Sequence, residues 1–390
     1  MNGSDVFKII KRDAVSIFSE ADLMEKLCSG RQLTVKLGAD PSAPDLHLGH
    51  SVVLRKLKLL QNAGHRIVFV IGDFTGMIGD PSGRKKTRAP LTFEQTRLNG
   101  QTYFTQAAKI LDPKRTVIAY NSEWLSKMGF ADVLKLAGKY TLARILERDD
   151  FADRFQDNQP IVMQELFYPL MQGYDSVALR ADIEVGGSDQ TFNLLVGREL
   201  QRDYGQQPQE VITFPLLPGL DGTEKMSKSL GNYIGIDEPA DIMFEKCMRV
   251  PDALLGDYFR LTTNLSDTEY SALLSLDIRK AHLLYAETVT GMYHDKASSE
   301  HARQRYQSVA RGGIPEDIET LAFPSGQYPL WKLVYMAGLA KTGSEARRLI
   351  LEGGISLDGG KVTDPAVMPA CTDSVLLKRG KSRFVSIRFV

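Results

Sequence analysis

One segment near the start of the chain constrains the fold more than any other. Residues 33–37 have the pattern of a short strand, residues 38–45 form a turn with two prolines, and residues 48–63 show the apolar spacing of a helix. Residues 67–71 are an apolar, β-branched run typical of a buried strand. A strand–helix–strand unit predicts a parallel sheet, in which ligands bind beyond the carboxyl ends of the strands. Residues 40–50 lie at such an end.

The composition limits the number of domains and the kinds of partner that the chain can have. The 390 residues suffice for two or three domains, and 43% hydrophobic with 25% charged residues is typical of a globular protein. Because 48 Lys and Arg balance 48 Asp and Glu, a nucleic-acid surface would have to be a local patch. Cys28, Cys247 and Cys371 are too widely spaced for a disulfide framework or a zinc knuckle. We expect reduced thiols, no protein-bound metal site and, without a signal-like segment or a long apolar run, a cytoplasmic protein that does not contact membranes.

The sheet continues further along the chain. Residues 183–187 and 211–217 have the pattern of short buried strands, separated by a helix at 190–204. Residues 91–166 are predicted to be mostly helical, with a mixed segment near residues 116–120, and are interpreted as an insertion. The sheet domain is therefore predicted to span residues 1–235.

Two further domains are predicted after the sheet. Residues 236–311 have helical patterns without alternating segments, and residues 312–327 have the glycines, prolines and acids of a linker. Residues 328–390 begin with helices at 330–337 and 344–352, the second capped by Ser344, and continue into strands around residues 355, 375 and 385. The last piece is thus a small α+β domain.

The last domain carries an excess of positive charge. Residues 328–390 carry ten Lys and Arg against five Asp and Glu, whereas residues 1–327 carry 38 against 43. A small basic module at a chain end suits contact with RNA, although a solvated charged face would have the same composition. The candidate phosphate contacts are Arg347, Arg348, Lys378, Arg379, Lys381 and Arg383.

The segment His47-Leu-Gly-His50 is predicted to lie at the start of a helix. Unpaired N–H groups and the helix dipole attract anions there, and two imidazoles could donate to a phosphate. Taken alone, the pattern also fits ordinary helix-start histidines.

A second motif, Lys225-Met-Ser-Lys-Ser229, follows a polar turn. Two ammonium groups three residues apart on a mobile loop can close over a triphosphate and neutralise the charge that grows on departing pyrophosphate. A solvated basic loop is the alternative for this motif by itself. Both motifs in this order are much less expected by chance, and together they resemble the HIGH and KMSKS signatures of class I aminoacyl-tRNA synthetases, with Leu48 in place of isoleucine.

Other stretches resemble the tyrosyl-tRNA synthetases in content, order and spacing. They are KLGADPSAPDLHLGH (36–50), GDFTGMIGDPSGRKKTR (72–88), YPLMQGYD (168–175) and GGSDQ (186–190). The basic C-terminal domain resembles the S-four-type RNA-binding domain of bacterial members. This resemblance implies a Rossmann-like, doubly wound parallel sheet as the catalytic domain, followed by a helical anticodon-side domain and the RNA-binding domain.

Three residues of the third stretch form a polar stripe. Tyr168, Gln172 and Asp175 have the i, i+4, i+7 spacing that places them on one face of a helix, where they could line a small polar pocket. The resemblance implies that Tyr168 and Gln172 hold the ammonium group of tyrosine and that Asp175 accepts its phenolic hydroxyl. It also implies that Thr75 and Asp80 lie near the bound tyrosine. By itself, Asp80 would fit an ordinary Asp-Pro turn.

The resemblance implies roles for the remaining site residues as well. Asp40, Gly187, Asp189 and Gln190 match positions around the ribose and the adenylate, with Gln190 also near tyrosine; a turn and a helix cap are the alternatives. Arg84 and Arg88 match basic positions of a mobile phosphate-binding loop or are solvated charges. The ATP site is completed by His47, His50, Lys225, Ser227 and Lys228.

One position departs from the pattern. Lys36 stands where many bacterial members carry a tyrosine that helps to bind the substrate hydroxyl, so recognition of that hydroxyl would depend more on Asp175. We expect Lys36 near the substrate, or paired with a neighbouring carboxylate.

The resemblance implies a tyrosine–tRNA ligase, a homodimer whose helical insertion forms the contact. It would use ATP as a substrate, with Mg²⁺ bound to the ATP, to make tyrosyl-adenylate, and would then charge tRNA(Tyr). Two alternatives remain: a tryptophanyl relative, against which the polar stripe and the basic tail argue, and a non-catalytic RNA-binding protein, against which the two intact motifs argue.

Overall fold

The computed structural model describes residues 2–41, 45–82, 92–311, 313–314, 318–370, 374–380 and 383–390. Arg84, Arg88, Cys371 and Lys381 lie outside the described residues. Contacts divide the chain into two compact units, Met1–Asp295 and Lys296–Val390. The division into three domains stays a prediction.

In the part of the chain that the structure describes, the first unit contains a six-stranded sheet. Its strands are β1 (Ser16–Phe18), β2 (Thr34–Ala39), β3 (Arg66–Ile71), β4 (Thr116–Tyr120), β5 (Ile183–Gly187) and β6 (Glu210–Phe214). Their order is β1-β6-β5-β2-β3-β4, and all neighbours are parallel except β1 and β6. The prediction of a doubly wound parallel sheet is confirmed. Strand order reverses between β2 and β5, where such sheets open a crevice at the carboxyl ends of their strands.

Helices account for most of the rest of the first unit. They are α1 (Gly3–Asp13), α2 (Glu20–Cys28), α3 (Leu48–Asn62), α4 (Thr75–Ile78), α5 (Phe93–Ala107), α6 (Ser122–Leu125), α7 (Phe130–Ala137), α8 (Leu142–Ile145), α9 (Asp149–Gln156), α10 (Met163–Leu179), α11 (Thr191–Asp203), α12 (Ala240–Cys247), α13 (Leu255–Thr262), α14 (Asp267–Leu276) and α15 (Ile278–Tyr293). The strand–helix–strand unit predicted for residues 33–71 is confirmed as β2-α3-β3, and Leu57 and Leu60 of α3 are buried in the core.

The interpretation of residues 91–166 as an insertion is wrong for residues 116–120, which belong to the sheet itself. Residues 116–120 form β4, which pairs with β3 along its whole length and is the edge strand of the sheet. Thr116 and Ala119 are buried whereas Val117 is exposed. The four consecutive apolar residues of β4, 117–120, lie between helical patterns, and so short a run cannot be told from a helical segment by pattern alone.

The second unit contains a separate five-stranded sheet among its described residues. Its elements are α16 (Lys296–Ala310), β7 (Thr320–Phe323), α17 (Leu330–Met336), α18 (Gly343–Leu351), β8 (Ile355–Leu357), β9 (Gly360–Val362), β10 (Ser374–Arg379) and β11 (Arg383–Phe389). The strand order is β7-β11-β10-β8-β9. Leu333 of α17, Ile350 of α18 and Leu377 of β10 belong to one buried apolar cluster, which confirms an α+β fold.

Two local predictions for this unit are wrong. Part of the expected linker is a strand, because β7 pairs in parallel with β11 and its Leu321 and Phe323 pack against the apolar cluster. The cap of α18 is Thr342, whose hydroxyl accepts from the backbone N–H of Glu345 at 3.1 Å, and Ser344 lies inside the helix.

Candidate active site

A cavity of about 570 Å³ lies where the strand order reverses, beyond the carboxyl ends of β2 and β5. Most of the residues predicted for the site line it. They are Asp40, His47, His50, Thr75, Asp80, Tyr168, Gln172, Asp175, Gly187, Asp189, Gln190, Lys225, Ser227 and Lys228. One cavity therefore holds both signature motifs and the polar stripe.

The two histidines stand at the start of α3. His47 is the N-cap residue, its backbone N–H donates to Nδ1 of His50 at 3.2 Å, and the two ring centroids are 3.9 Å apart. Burial, followed by His50 and Lys225, lowers the pKa of His47 to about 2, and burial followed by Lys225 lowers the pKa of His50 to about 4. Both rings are consequently neutral at working pH. Gly49 permits this arrangement, since a Cβ there would lie 3.0 Å from the ring of His47.

Backbone pairing joins the HLGH segment to the chain that follows the KMSKS motif. The N–H of Leu48 donates to the carbonyl of Ile234 at 2.9 Å, and the N–H of Ile236 donates to that of Leu46 at 3.1 Å. His47 thus forms a bridge with Gly235. The two motifs, far apart in sequence, form one side of the cavity because of this short ladder.

Each lysine of the KMSKS motif pairs with a carboxylate. The Nζ of Lys225 lies 3.1 Å from Oδ2 of Asp189, and Lys228 pairs with Asp45. The backbone of the loop is held by Asn232, whose Oδ1 accepts from the N–H of Ser227 at 2.8 Å. This arrangement places two ammonium groups at the cavity wall.

Asp40 links the end of β2 to two polar hydroxyls. The hydroxyl of Thr75 donates to Oδ1 of Asp40 at 2.8 Å, and that of Tyr168 donates to Oδ2 at 2.9 Å. Only glycine fits at Gly72, because a Cβ there would lie 1.9 Å from Oδ1 of Asp40. Burial, and then Asp40 and Asp80, raise the pKa of Tyr168 well above its usual value, so that the phenol stays protonated.

The polar stripe lies on α10, as predicted. Tyr168, Gln172 and Asp175 are all buried and all line the cavity. Among the described residues, Oε1 of Gln172 is a buried acceptor without a hydrogen-bond donor. It is therefore available for a donor group of a ligand, such as an ammonium.

Asp175 stands at the deep end of the stripe. Its Oδ1 accepts from the indole N–H of Trp124 at 2.8 Å, and its Oδ2 accepts from Asn121 at 3.4 Å. Burial raises the pKa of Asp175 to about 7, although the nearby ammonium of Lys36 opposes this effect. A carboxyl that titrates near neutrality and faces a cavity is typical of a functional group.

Asp80 and Gln190 meet across the cavity. The amide of Gln190 donates to Oδ2 of Asp80 at 2.8 Å, while Oδ1 accepts from the backbone N–H of Ser82 at 2.9 Å. The second bond is the expected Asp-Pro turn. The turn and the contact to the site therefore occur together.

Among the described residues predicted for the tyrosine and ATP sites, Lys36 is the one that does not line the cavity. Its side chain is fully buried, and its Nζ lies 2.9 Å from Oε1 of Glu184, a fully buried carboxylate on β5. The alternative of pairing with a neighbouring carboxylate is therefore the one that the structure shows. Lys36 lies four positions before Asp40, deeper along β2 and away from the carboxyl end at which the cavity opens.

Sequence reasoning missed Asn121, Trp124 and Asp45. Asn121 follows β4 directly, so it lies at the same sheet edge as the other site residues. Recognising residues 116–120 as a strand would have pointed to it. Asp45 precedes the HLGH motif by two residues, but its pairing with Lys228 depends on a contact between segments more than 180 residues apart.

The candidate RNA contacts of the second unit differ in their surroundings. Arg347 stacks on the ring of Trp331 at 3.7 Å, Arg348 lies 3.5 Å from Glu352, and Lys378 lies over the ring of Phe384. Arg379 instead donates to the carbonyl of Leu339 and to Glu345. Arg383 is exposed.

No described helix has the length and apolar character that crossing a membrane requires. Likewise, the described ranges hold no group of three or more His, Cys, Asp or Glu arranged for a metal ion.

Family comparisons agree with this geometry. The family described as "tRNA synthetases class I (W and Y)" matches residues 29–309, and the family described as "S4 domain" matches residues 329–368. The fold and site thus define a class I aminoacyl-tRNA synthetase with an S4 domain.

Similar curated proteins narrow the class. The chain is 48% identical to the tyrosine–tRNA ligase of Deinococcus radiodurans, covering 98% of this chain and 96% of that protein. It is 49% identical to that of Idiomarina loihiensis, covering 97% and 96%. The chain belongs to the tyrosyl-tRNA synthetase family.

Solved structures agree on the fold. The tyrosyl-tRNA synthetase complexed with L-tyrosine from Archaeoglobus fulgidus has a TM-score of 0.65 at 23% identity, covering 77% of this chain and 99% of that chain. A C-terminally truncated mitochondrial tyrosyl-tRNA synthetase from Aspergillus nidulans also gives 0.65, at 21% identity, covering 78% and 94%.

Proposed function

We infer that the chain activates tyrosine with ATP and transfers the tyrosyl group to tRNA(Tyr). The observation that carries this function is the single cavity that combines the HLGH and KMSKS motifs with the Tyr168, Gln172 and Asp175 face of α10. The first two motifs suit a nucleotide, and the helix face suits a small polar amino acid.

In the first step, the carboxylate of tyrosine attacks the α-phosphorus of ATP, and the bond to pyrophosphate breaks in line. No protein nucleophile is needed, because positioning and electrostatic stabilisation can supply the rate. Lys225 and Lys228 would meet the charge that develops on pyrophosphate. The neutral rings of His47 and His50 would donate hydrogen bonds to phosphate oxygens at the start of α3. Arg84 and Arg88 are proposed to close over the phosphates.

Tyrosine would lie along α10. The hydroxyl of Tyr168 donates to Asp40, so its oxygen still has a lone pair for the ammonium of the substrate. The unpaired Oε1 of Gln172 supplies a second acceptor. Asp80 and Thr75 would complete this end, and Asp175 would accept the phenolic hydrogen at the other end.

Adenosine would occupy the remaining part of the cavity. Asp40, Gly187, Asp189 and Gln190 are proposed to contact the ribose and the adenylate, with Ser227 near the phosphates. Mg²⁺ would enter coordinated to the oxygens of ATP, as is usual for this hard ion. It would add charge neutralisation at the phosphates.

The second step requires tRNA. We propose that the hydroxyl of its terminal ribose attacks the acyl carbon of tyrosyl-adenylate, so that the anhydride bond breaks and AMP leaves. Arg347, Arg348, Lys378, Lys381 and Arg383 are proposed to contact the phosphate backbone, with Arg379 in a supporting role. The working form is proposed to be a cytoplasmic homodimer with its contact in the region of residues 91–166.

Exchange of labelled pyrophosphate into ATP tests this function. We expect exchange that depends on tyrosine and is at background with tryptophan. Exchange that depends on tryptophan would instead indicate the tryptophanyl relative, and no exchange with either amino acid, together with tRNA binding, would indicate a non-catalytic RNA-binding protein.

A further inference from the structure

The buried ammonium of Lys36 is held by acceptors from two neighbouring elements. Its Nζ donates to the backbone carbonyl of Gln172 at 3.1 Å and to Oγ of Ser176 at 2.8 Å, both on α10. On β5 it pairs with Oε1 of Glu184 at 2.9 Å. The hydroxyl of Ser176 donates in turn to Oε2 of Glu184 at 2.9 Å, which closes a ring of three side chains.

This ring leaves Lys36 nothing to offer to the substrate directly. An ammonium has three N–H donors, and three acceptors lie within hydrogen-bond distance of it. The side chains of Lys36 and Glu184 are 0% and 1% exposed, and Lys36 does not line the cavity. Any influence of Lys36 on the substrate therefore has to act through other residues.

The contacts of Lys36 lie on both sides of Asp175 along the helix. Gln172 and Ser176 are one helical turn apart, and the stripe residues Gln172 and Asp175 line the cavity. Because α10 carries the whole stripe, fixing these two points against β2 and β5 fixes how far the stripe projects into the cavity. Hydrogen bonds and ion pairs between rigid elements hold a binding group in its productive geometry.

We propose that Lys36 is a positioning residue for amino-acid selectivity, which fixes the depth of Gln172 and Asp175 through its ring with Ser176 and Glu184. The inference rests on the proposed function, since it names what sets the preference of that site for tyrosine over phenylalanine. It replaces the direct hydroxyl contact expected from the sequence.

The charges around Asp175 are consistent with this role. After burial, which raises the pKa of Asp175, the ammonium of Lys36 is the largest influence and lowers it, while Glu184 raises it. Because Lys36 and Glu184 act in opposite directions, removing both charges together changes the electrostatics at Asp175 less than removing Lys36 alone. A double neutral variant therefore reduces the electrostatic contribution to any change in selectivity.

The test uses the full chain with Lys36→Met combined with Glu184→Gln. A single change would leave one buried charge uncompensated, which is strongly destabilising. We expect the ratio of kcat/KM for tyrosine to that for phenylalanine to fall roughly 10- to 100-fold, as displacement of a positioned group does. The KM for ATP should change by less than about 2-fold, because the HLGH and KMSKS groups proposed to meet the phosphates lie outside α10, β2 and β5.

A matched control pair exists in the same unit. The Nζ of Lys26 on α2 lies 2.9 Å from Oε1 of Glu210 on β6, both side chains are buried, and neither lines the cavity. Lys26→Met with Glu210→Gln should leave the selectivity ratio unchanged even if its Tm falls. Equal loss of selectivity in the control would show a general effect of core charges and would overturn the proposal.

Other outcomes are equally decisive. A Lys36→Met, Glu184→Gln variant that folds and keeps the wild-type ratio overturns the proposal. If that variant does not fold, Ser176→Ala, which leaves the ion pair in place, takes its role, and an unchanged ratio again overturns it. Wild-type protein without tyrosine-dependent exchange would instead contradict the proposed function itself.

Discussion

Lys228 of the KMSKS motif forms an ion pair with Asp45, a carboxylate two residues before the HLGH motif. The two side chains are 25% and 43% exposed, so water still reaches the pair. Ion pairs of this kind contribute only about 0–1 kcal/mol. The triphosphate of ATP, which carries more negative charge than one carboxylate, is able to displace Asp45.

Asp45→Asn should lower the KM for ATP. Without the competing carboxylate, Lys228 is free to meet a phosphate, and about 1 kcal/mol corresponds to roughly 5-fold at most. The measurement is the KM for ATP in pyrophosphate exchange. Asp237→Asn is the control, because Asp237 pairs with Lys109 at 2.6 Å and does not line the cavity. A higher KM in Asp45→Asn would show that Asp45 helps to bind ATP.

Lys228→Ala should slow formation of tyrosyl-adenylate far more than it weakens the binding of tyrosine. Its ammonium meets charge that appears only as pyrophosphate leaves, so the loss falls on the transition state. Removing one such group typically costs ~10²-fold or more in rate. Single-turnover activation checks this, with tyrosine binding measured in parallel. Near wild-type activation would remove Lys228 from this role.

The kcat/KM for tyrosine should rise with pH through about 7. Burial raises the pKa of Asp175 to about 7, so the carboxyl is protonated below this pH and ionised above it. Only the ionised form is a full acceptor for the phenolic hydrogen. The kcat/KM for MgATP is the reference, since His47 and His50, with pKa values of about 2 and 4, stay neutral.

Asp175→Ala provides the matching variant for this pH dependence. It should abolish the rise near pH 7 and sharply reduce the preference for tyrosine over phenylalanine. Discrimination by a site built for a substrate hydroxyl reaches ~10⁵ in this enzyme family, which is the standard worked example of the effect. Full selectivity in Asp175→Ala would assign recognition of the hydroxyl to other residues.

Truncation after Arg311 should leave tyrosine activation almost intact and strongly reduce charging of tRNA. The cavity residues precede Lys296, and the cut removes β7 together with the sheet to which it belongs. A cut near Gly326 would instead leave β7 without β11. Pyrophosphate exchange and charging measured on both proteins check this. Equal charging of tRNA by the truncated and the full-length chains would argue against an RNA-binding role for the removed segment. Loss of both activities on truncation would show that the removed segment has a structural role.

Substitutions of Arg348 and Arg379 should distinguish a loss of RNA contact from a loss of stability. Arg348 is 65% exposed, so Arg348→Ala should leave Tm unchanged, weaken tRNA binding and lower the salt slope of binding by about one unit. Arg379→Ala should instead lower Tm, because its guanidinium bonds to Leu339 and Glu345 are worth about 1 kcal/mol or more. Identical behaviour of the two variants would contradict this division.

Local sequence patterns predicted the parts of the fold that depend on local physics. The continuous apolar run of β3 and the spacing of α3 identified both elements, and the edge of a parallel sheet located the site. The strands β4 and β7, both at sheet edges, were missed because each contains at most four consecutive apolar residues, too short a run to distinguish a strand from a helical segment. Edge position is set by tertiary pairing, which no local window contains.

The site likewise combines features that depend on local sequence with features that depend on tertiary contacts. The i, i+4, i+7 spacing placed Tyr168, Gln172 and Asp175 on one face because helix geometry is local. The ion pairs of Lys36 with Glu184 and of Lys228 with Asp45 join residues more than 140 positions apart. Such pairings depend on how strands and loops are arranged in space, so sequence spacing alone did not reveal them.

The placement of the whole polar stripe on α10 has a consequence for how substrate choice can change. The proposed contacts to the amino acid come largely from this 17-residue helix, whereas the nucleotide contacts come from the ends of strands and from loops. A few substitutions within one continuous segment can therefore redirect the protein to a different amino acid while its use of ATP is inherited unchanged. One cassette of coding sequence is enough for a library that explores such variants.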